Sequence, residues 1–478
     1  MAEKSIAKNG IYNMTYKLLS VIFPLITVTY TSRILEPQNL GMVTYSQTIV
    51  SYFLIFALLG IPNYGIREVA KSRNRAEKNK VFSEVLVINI ASTLLWTFLY
   101  CLFVIFFIKE NLSLYFASGL LLVLNIFNVD WFYQGIEEYG FIAFRSFVIK
   151  IIFVIALFVF VKQNSDYIKY SFIYSIAVAG NYIFSLINLK KYTAFVKNGL
   201  NIKKHLKPIF ALFAGTVANE FYLHVDITMI GVMCSNSYVS YYSNPSKIMH
   251  VISNALIALG AVILPRLSII VQDSKEKAYE LSMKAYKTLL FIAVPCSFGV
   301  FAISKYMIPT LFGNNYNVSI VTMQILSILI LMFAIDGGVL IPILISNKKE
   351  KTYTIATVLG AVTNILFNYF LIKFFQHNGA AIASVLSKAI MMLIEMYFLN
   401  KINLLPKANK YLIKTIFMSL IMILGIFSLD AVLVAQSVVF KLVFEIMFGI
   451  TIYFCCALVL KDEIFRIILN KVHGGLKI

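Results

Sequence analysis

Residues 23–73 read FPLITVTYTSRILEPQNLGMVTYSQTIVSYFLIFALLGIPNYGIREVAKSR. The stretch holds two apolar runs, which are joined by a short polar segment around Glu36 and followed by a basic cluster that begins at Arg67. A run of roughly 17 to 25 apolar residues is long enough to cross a lipid bilayer as a helix. The stretch therefore predicts two membrane-spanning helices that turn at one face of the bilayer and end in cations at the other.

Apolar runs of this kind recur along the whole chain. Of its 478 residues, 60% are hydrophobic and only 13% are charged, and the mean hydropathy is +0.81. A soluble core cannot hide that much apolar surface, so part of it must face lipid. The pattern predicts an all-α integral membrane protein with about fourteen spans of roughly 20 residues each. The runs are centred near Val21, Val50, Leu95, Val123, Ile155, Ile176, Ala218, Asn254, Ala293, Leu329, Leu366, Ile390, Ile421 and Ile450.

The net charge of +20 is distributed in a way that indicates topology. Basic clusters occupy every second joint, and the joints between them are short. This alternation is typical of the positive-inside bias of membrane proteins, so we expect both termini to be cytoplasmic and no nucleic-acid partner. The first apolar run has no cleavage site and is interpreted as an uncleaved span. The short joints, which leave no room for an external catalytic domain, lie around Glu36, Lys109, Gln163, Ser235, Asn314, His377 and Gln436.

The chain also contains two similar halves. A Tyr-Ser pair opens the second span and the eighth, at Tyr45 and Tyr242, and a carboxylate lies near the inner end of the fourth span and the tenth, at Asp130 and Asp336. Parallel repeats of this kind place substrate sites near the bilayer midplane in many carriers. We predict two pseudo-symmetric six-helix lobes, residues 1–200 and 201–400, with two further helices and a cytoplasmic tail in residues 401–478.

Several segments resemble a known family in their order and spacing. They are the opening stretch quoted above, WFYQGIEEY from Trp131, YLHVDITMIG from Tyr222, YYSNPSKIMHVISNALIALGAVILPRLS from Tyr241, LFGNNY from Leu311, and GAVTNILFNYFLI with NGAAIASVLSK within residues 360–388. Over about the first 400 residues the chain is similar to the Wzx-type polysaccharide flippases, in the MOP superfamily that includes the MATE exporters and the lipid II flippases.

This resemblance implies a bacterial inner-membrane carrier that works by alternating access. Its cargo would be undecaprenyl-diphosphate-linked oligosaccharide repeat units, moved from the cytoplasmic to the external leaflet, and its partners would include a polysaccharide polymerase. One departure is Lys388, where many relatives are expected to have a carboxylate. An ion-coupling role borrowed for that position is therefore in doubt.

Ionisable residues inside spans are the main indication of a functional site, because each costs roughly 2.5 to 3.5 kcal/mol at the centre of a membrane helix. Such residues usually face a cavity or a partner. They are Lys17, Asp130, Glu220, Asp226, Lys247, Asp336, Lys388 and Glu395, with Arg33 at the external end of the first span.

The basic members of this set are candidate substrate ligands. A diphosphate-sugar head group is anionic, and Lys or Arg in a wet cavity binds such groups through charge-assisted hydrogen bonds. We predict this role for Lys17, Arg33, Lys247 and Lys388. Two alternatives remain open: Lys17 and Arg33 lie near span ends, where they can extend to the interface, and Lys247 can form a structural ion pair with Asp226.

The acidic members are candidate gates or ion-coupling groups. Asp130 and Asp336 lie at matching depth in the two halves, where they can pair with Arg67 or Lys348 or bind a coupling cation. Glu220 and Asp226 belong to the same class. For Asp130 and Asp336 the alternative is an interfacial carboxylate that accepts hydrogen bonds from a helix end.

The sequence predicts no cofactor and no metal. It has no phosphate-binding G-x-x-x-x-G-K-[ST] loop and no H-E-x-x-H pair, and its five cysteines have neither metal-ligand nor disulfide spacing. Two other functions make different predictions. A MATE-like exporter of small molecules predicts a cavity dominated by carboxylates, whereas the candidates here include four bases. A membrane polymerase or transferase predicts a large external loop, whereas the external joints here are short. We therefore predict a carrier and not an enzyme.

Overall fold

The computed structural model describes residues 23–261, 267, 269–270, 274–433 and 436–474, and the regular secondary structure of these residues is helical, with no strand among them. The chain divides into two compact units, Met1–Ser240 and Tyr241–Ile478. The helices of the first unit are α1 (residues 23–34), α2 (Pro37–Leu58), α3 (Ile61–Lys71), α4 (Arg75–Phe107), α5 (Leu112–Leu124), α6 (Asp130–Gly135), α7 (Tyr139–Phe160), α8 (Tyr167–Ile187), α9 (Leu189–Tyr192) and α10 (Lys203–Met233).

The unit boundary falls in the first turns of α11, and the remaining helices belong to the second unit. They are α11 (Asn236–Ala261), α12 (Lys275–Phe312), α13 (Ser319–Ile335), α14 (Ile341–Ser346), α15 (Glu350–Lys401), α16 (Asn409–Val432), α17 (Val438–Val459) and α18 (Glu463–Gly474). A π-helical segment, Asp336–Leu340, joins α13 to α14.

Among the described residues, nine helical segments are long and apolar enough to cross a membrane. One of them is the 52-residue α15, whose backbone leaves helical geometry at Gln376 (φ 51°, ψ −128°). The break lies next to the joint predicted around His377, so α15 covers two of the predicted spans. Predicted spans seven and eight lie on α10 and α11, which are not among the nine. The multi-span helical architecture is confirmed, and the number fourteen stays a prediction.

Helix ends in this chain follow local sequence signals. Pro37 occupies the first turn of α2, where a missing backbone N–H costs nothing. Asn74 caps α4 by accepting a hydrogen bond from the Glu77 backbone N–H at 2.8 Å, and the Glu77 carboxylate accepts one from the Arg73 N–H at 2.8 Å. These reciprocal bonds satisfy donors that the first turn of a helix otherwise leaves unpaired.

Each unit has an interior of its own. In the first unit an aromatic cluster joins α3, α4 and α6, with Phe82 stacked on Trp131 at 5.9 Å between ring centroids. In the second unit α12 packs against α13, α16 and α17 around Leu290 and Met418. Predicted spans thirteen and fourteen, α16 and α17, are therefore integral to the packing of the second unit. The lobe boundaries at residues 200 and 400 stay a prediction.

Large apolar side chains remain on the outside of the helices. Phe106, Phe107 and Phe374 are each more than 70% exposed. Water would make such a surface unstable, whereas lipid tails solvate it. The lipid-facing surface that the composition predicted is thus present on the candidate spans.

Candidate functional site

The first cluster of charged side chains inside a unit is centred on Asp130. A 3₁₀ turn, Asn125–Phe127, follows directly after α5. Helix α6 then starts at Asp130 after two non-helical residues. The Asn128 side-chain oxygen accepts a hydrogen bond from the Asp130 backbone N–H at 3.3 Å. This interruption places the carboxylate at the N-terminus of α6, where the helix dipole favours negative charge.

Arg145 of α7 binds this carboxylate with both terminal nitrogens, at 2.9 Å from Oδ1 and 3.0 Å from Oδ2. Ser185 of α8 contributes its hydroxyl to both members of the pair, and the ring of Phe141 lies 5.9 Å from the guanidinium carbon. The Arg145 side chain is 1% exposed and that of Asp130 is 26% exposed. The two-point geometry is the strongest that a carboxylate and a guanidinium form, and it ties α6, α7 and α8 together.

The second cluster lies in the second unit and is centred on Asp336, the first residue of the π-helical segment. Lys388 of α15 donates a hydrogen bond to Asp336 Oδ2. Glu395 lies seven residues after Lys388, two helical turns along the same face, and its carboxyl group interacts electrostatically with both Asp336 and Lys388. Asp336 and Lys388 are each 2% exposed and Glu395 is fully buried. We call these three residues the triad.

The triad has more acceptor oxygens than donors. Among the described residues, no donor group bonds to Asp336 Oδ1 or to either oxygen of Glu395, and the Glu395 carboxyl group interacts with the Asp336 carboxylate instead. An unpaired buried carboxylate oxygen is costly, because the water that would otherwise solvate it has been removed. The triad therefore differs from the Asp130 pair, in which both carboxylate oxygens are bonded.

A polar stripe on α11 lies near the triad. Asn244, Lys247 and His250 are three residues apart and share one helix face. Asn244 is fully buried, and neither its side-chain nitrogen nor its oxygen has a partner among the described residues. The ring of Phe333 lies between this stripe and the triad, with centroids 5.6 Å from the His250 ring and 4.8 Å from Lys388 Nζ.

Lys247 itself is half-buried, and within the described part of its own unit it forms no salt bridge. An ammonium group that has an unpaired amide one turn away and no salt bridge within the described part of its unit is well placed to bind an anion. This geometry is what the ligand hypothesis for Lys247 requires.

The remaining predicted residues are more scattered. Lys17 lies outside the described residues. Arg33 is exposed in the last turn of α1, and Arg67 is exposed on α3. On α10, Glu220 lies 3.6 Å from His224 Nε2, and Asp226 is 7% exposed.

Sequence reasoning missed several buried charges that the fold brings together. Arg145 is the main example, since Arg67 and Lys348 were the predicted partners of Asp130. In the first unit Glu84 is fully buried, accepts a hydrogen bond from Lys204 at 2.8 Å and lies 2.7 Å from His205 Nε2. The hydroxyl of Tyr64 lies 2.5 Å from His205 Nδ1. This network joins α3, α4 and α10.

A cavity of about 330 Å³ lies among α12, α16 and α17 in the second unit. Its lining is apolar apart from a few side chains, and Glu445 is its one acidic or basic lining residue. Glu445 is fully buried, and neither of its oxygens has a hydrogen-bond partner within the described ranges. In the part of the chain that the structure describes, no group of three or more His, Cys, Asp or Glu side chains is arranged to hold a metal ion.

The helical fold and its candidate spans define a multi-pass membrane protein. The sequence profile of a family described as polysaccharide biosynthesis protein matches residues 6–271, which is more than half of the chain. The chain belongs to this family, and the resemblance to the Wzx-type flippases is confirmed.

Curated relatives have names that agree with this class. A protein of Shigella dysenteriae named as an O-antigen transporter is 23% identical over 377 residues, which cover 78% of this chain and 94% of that one. A protein of Haloferax volcanii named as a low-salt glycan biosynthesis flippase is 23% identical over 39% of each chain. The prediction of a transporter and not an enzyme is confirmed by these names.

Solved structures show the same fold. The lipid II flippase MurJ in an inward closed conformation has a TM-score of 0.78 at 17% identity and covers 95% of this chain and 99% of its own. A MATE transporter in the bent conformation has a TM-score of 0.54 at 14% identity over 84% of this chain and 96% of its own. The predicted fold class is therefore confirmed.

Proposed function

We propose that this protein is a flippase that carries undecaprenyl-diphosphate-linked oligosaccharide repeat units from the cytoplasmic to the external leaflet by alternating access. It serves the synthesis of a surface polysaccharide such as capsule or O-antigen. Membership of the polysaccharide biosynthesis family is the observation that carries the proposal. The names of the relatives, which include an O-antigen transporter and a glycan biosynthesis flippase, agree with it.

The chemistry of the cargo explains why the polar stripe on α11 contains a lysine. A diphosphate needs hydrogen-bond donors with positive charge, and Lys247 offers three donors next to the unpaired amide of Asn244. In this proposal Lys247 binds the diphosphate and Asn244 completes its hydrogen bonding. Lys388 is a weaker candidate, because Asp336 already holds its ammonium group.

The proposal places the protein in the inner membrane of a bacterium with both termini in the cytoplasm. Basic joints on one side and short joints on the other support this orientation. A polysaccharide polymerase on the external side would consume the product, and this consumption would help to draw transport outward.

An export assay in cells that lack their own copy of the flippase tests the proposal. We expect the wild-type gene to restore surface polysaccharide, and cells without it to accumulate the lipid-linked repeat unit on the cytoplasmic leaflet. Lys247→Ala should lower export about tenfold or more, since a charge-assisted hydrogen bond contributes roughly 1.5 to 3 kcal/mol. Lys247→Arg should retain part of it, because the charge persists while the donor geometry changes.

Lys373→Ala is the matched control. Lys373 is an exposed lysine of α15 whose ammonium group lies 3.9 Å from the centroid of the Tyr369 ring, and its removal should leave export unchanged. If Lys247→Ala exports normally, the ligand role is wrong. If export returns in the double variant Lys247→Ala with Asp226→Ala, the lysine serves only to neutralise that carboxylate. A strain that makes no lipid-linked repeat unit would indicate a biosynthetic enzyme instead.

A further inference from the structure

The triad in the second unit combines features that a purely structural ion pair does not need. Two carboxyl groups and one ammonium group interact at the junction of α13, the π-helical segment and α15, and all three are buried. If every group were ionised, the triad would carry a net negative charge away from water. One ammonium ion neutralises one carboxylate, which leaves the second without a counter-ion.

The hydrogen bonds of the triad show the same deficit. Lys388 donates to Asp336 Oδ2, whereas no donor group among the described residues bonds to Asp336 Oδ1 or to either Glu395 oxygen. A protonated carboxyl group gains one donor. A single proton on Glu395, donated to Asp336 Oδ1, would therefore remove the excess charge and satisfy an oxygen of each acid.

We propose that Asp336, Lys388 and Glu395 form a proton-binding site in which the two carboxyl groups share one proton, and that the flippase exchanges this proton during its cycle. The exchange of the proton during transport rests on the proposed function. The proton-binding site itself rests only on the placement of the three side chains.

A metal cation suits the triad less well than a proton. The Lys388 ammonium group already occupies Asp336, and a second cation would lie beside it with unfavourable charge repulsion. Alkaline-earth ions also need about six oxygen ligands, whereas the two carboxyl groups offer four oxygens, one of which already accepts a hydrogen bond from Lys388. A proton needs only one donor atom and one acceptor.

The surroundings of the triad connect it to the polar stripe of α11. Tyr353, on the first half of α15, is a further titratable group that interacts electrostatically with all three members. Phe333 separates Lys388 from His250. A Cβ atom added to Gly260 of α11 would lie 2.4 Å from the Gly338 Cα, so α11 and the π-helical segment are in direct backbone contact. Loss of the proton would change the charge next to the Phe333 contact and next to the contact between Gly260 and Gly338.

Infrared difference spectroscopy of the full-length protein in lipid nanodiscs tests the site without any transport. The C=O stretching band of a protonated, buried carboxyl group should be present at neutral pH in the wild type. Glu395→Gln should remove a component of this band. Glu445→Gln should leave that component in place, because Glu445 is an equally buried and unpartnered carboxyl group on α17. A band that Glu395→Gln leaves intact would overturn the proposal.

A second variant keeps the test independent of how well Glu395→Gln folds. Lys388→Met removes the neighbouring positive charge, so the carboxyl component should persist to higher pH than in the wild type. An unchanged or lower pH would contradict a shared proton. In proteoliposomes loaded with lipid-linked repeat unit, an imposed pH gradient should alter transport by the wild type and not by Glu395→Gln. The band without transport would refute the proposed function alone, and transport without the band would refute the proton site alone.

Discussion

The Asp130 cluster and the triad each contain a carboxylate at a point where a membrane helix is interrupted. They differ in the groups that bond to this carboxylate. Asp130 lies at the start of α6 and receives two hydrogen bonds from Arg145. Asp336 lies in a π-helical segment and receives one from Lys388. The first cluster has one acid and one base, whereas the second has two acids and one base. The extra carboxyl group of Glu395 is the difference that matters.

This difference separates a structural pair from a site that can change its state. The guanidinium of Arg145 is permanently charged and its planar geometry matches Asp130, so the pair has one stable arrangement. Lys388 is a point charge that can be shared between two carboxyl groups. The regular α-helix is interrupted at both clusters. The interruption at the triad is a π-helical segment, a form that is frequent at functional sites. Of these two clusters, the triad is the one with an additional carboxyl group that can gain or lose a proton.

The largest effect is expected for Asp130→Asn. The change leaves the Arg145 guanidinium, which is 1% exposed, without a carboxylate, and breaking a buried pair in this way typically costs about 3–5 kcal/mol. We expect a corresponding loss of stability in SDS-titrated unfolding in mixed micelles, together with low abundance in the membrane.

Two controls define this result. Asp130→Leu combined with Arg145→Leu should recover most of the lost stability, because no buried charge remains unpaired. Glu68→Gln is the matched acid-to-amide change on the exposed side of α3, where Glu68 pairs with Lys71 at 2.9 Å; it should change stability by less than about 1 kcal/mol. If Asp130→Asn behaves like Glu68→Gln, the pair is not structural.

The equivalent change in the triad, Asp336→Asn, should reduce the free energy of unfolding by less than Asp130→Asn does. Asp336→Asn leaves Glu395 as an alternative counter-ion for Lys388, so the loss should be near that of one charged hydrogen bond, roughly 1.5 to 3 kcal/mol. The same unfolding assay, run on Asp336→Asn and Glu395→Gln separately and together, checks this expectation.

The double variant should be less stable than the sum of the single changes predicts, by roughly 0.5 to 3 kcal/mol, because it leaves Lys388 with no carboxylate at all. Simple additivity would mean that Glu395 cannot replace Asp336. In that event the comparison between the two clusters would fail on the point that distinguishes them.

The sequence predicted the acids of both clusters and not their complete surroundings. Asp130 and Asp336 are visible in one dimension because a charge inside an apolar run is unfavourable unless it is satisfied. Their partners depend on how helices pack. Arg145 is 15 residues from Asp130 and Ser185 is 55 residues from it. The sequence alone gives no reason to prefer Arg145 over Arg67 or Lys348 as the partner of Asp130.

Joints were more accessible to sequence reasoning than contacts. The segment around His377 was predicted as a turn, and the backbone of α15 leaves helical geometry at Gln376. Joints between spans can be located from local polar residues and from the length of apolar run that a bilayer requires, and the sequence shows both the residues and the run lengths. The π-helical form of Asp336–Leu340 has no such local signal apart from the Gly337-Gly338 pair, and it came from the structure alone.

The smallest expected effect concerns Ser185, the hydroxyl that contacts both Asp130 and Arg145. Its Oγ lies 3.3 Å from Asp130 Oδ1 and also donates to the Asn181 carbonyl oxygen at 2.9 Å. Ser185→Ala leaves the two-point ion pair intact, so the loss should be about 0.5–1.5 kcal/mol, the net contribution of an ordinary hydrogen bond. Ser51→Ala is the control, because the Ser51 hydroxyl bonds to the Gln47 carbonyl of its own helix at 2.9 Å, and its removal should be close to neutral. Unfolding midpoints of the two variants provide the measurement. A loss for Ser185→Ala as large as that for Asp130→Asn would show that the hydroxyl, and not the two-point geometry, holds Arg145 in place, and the first cluster would then be a three-residue site like the triad.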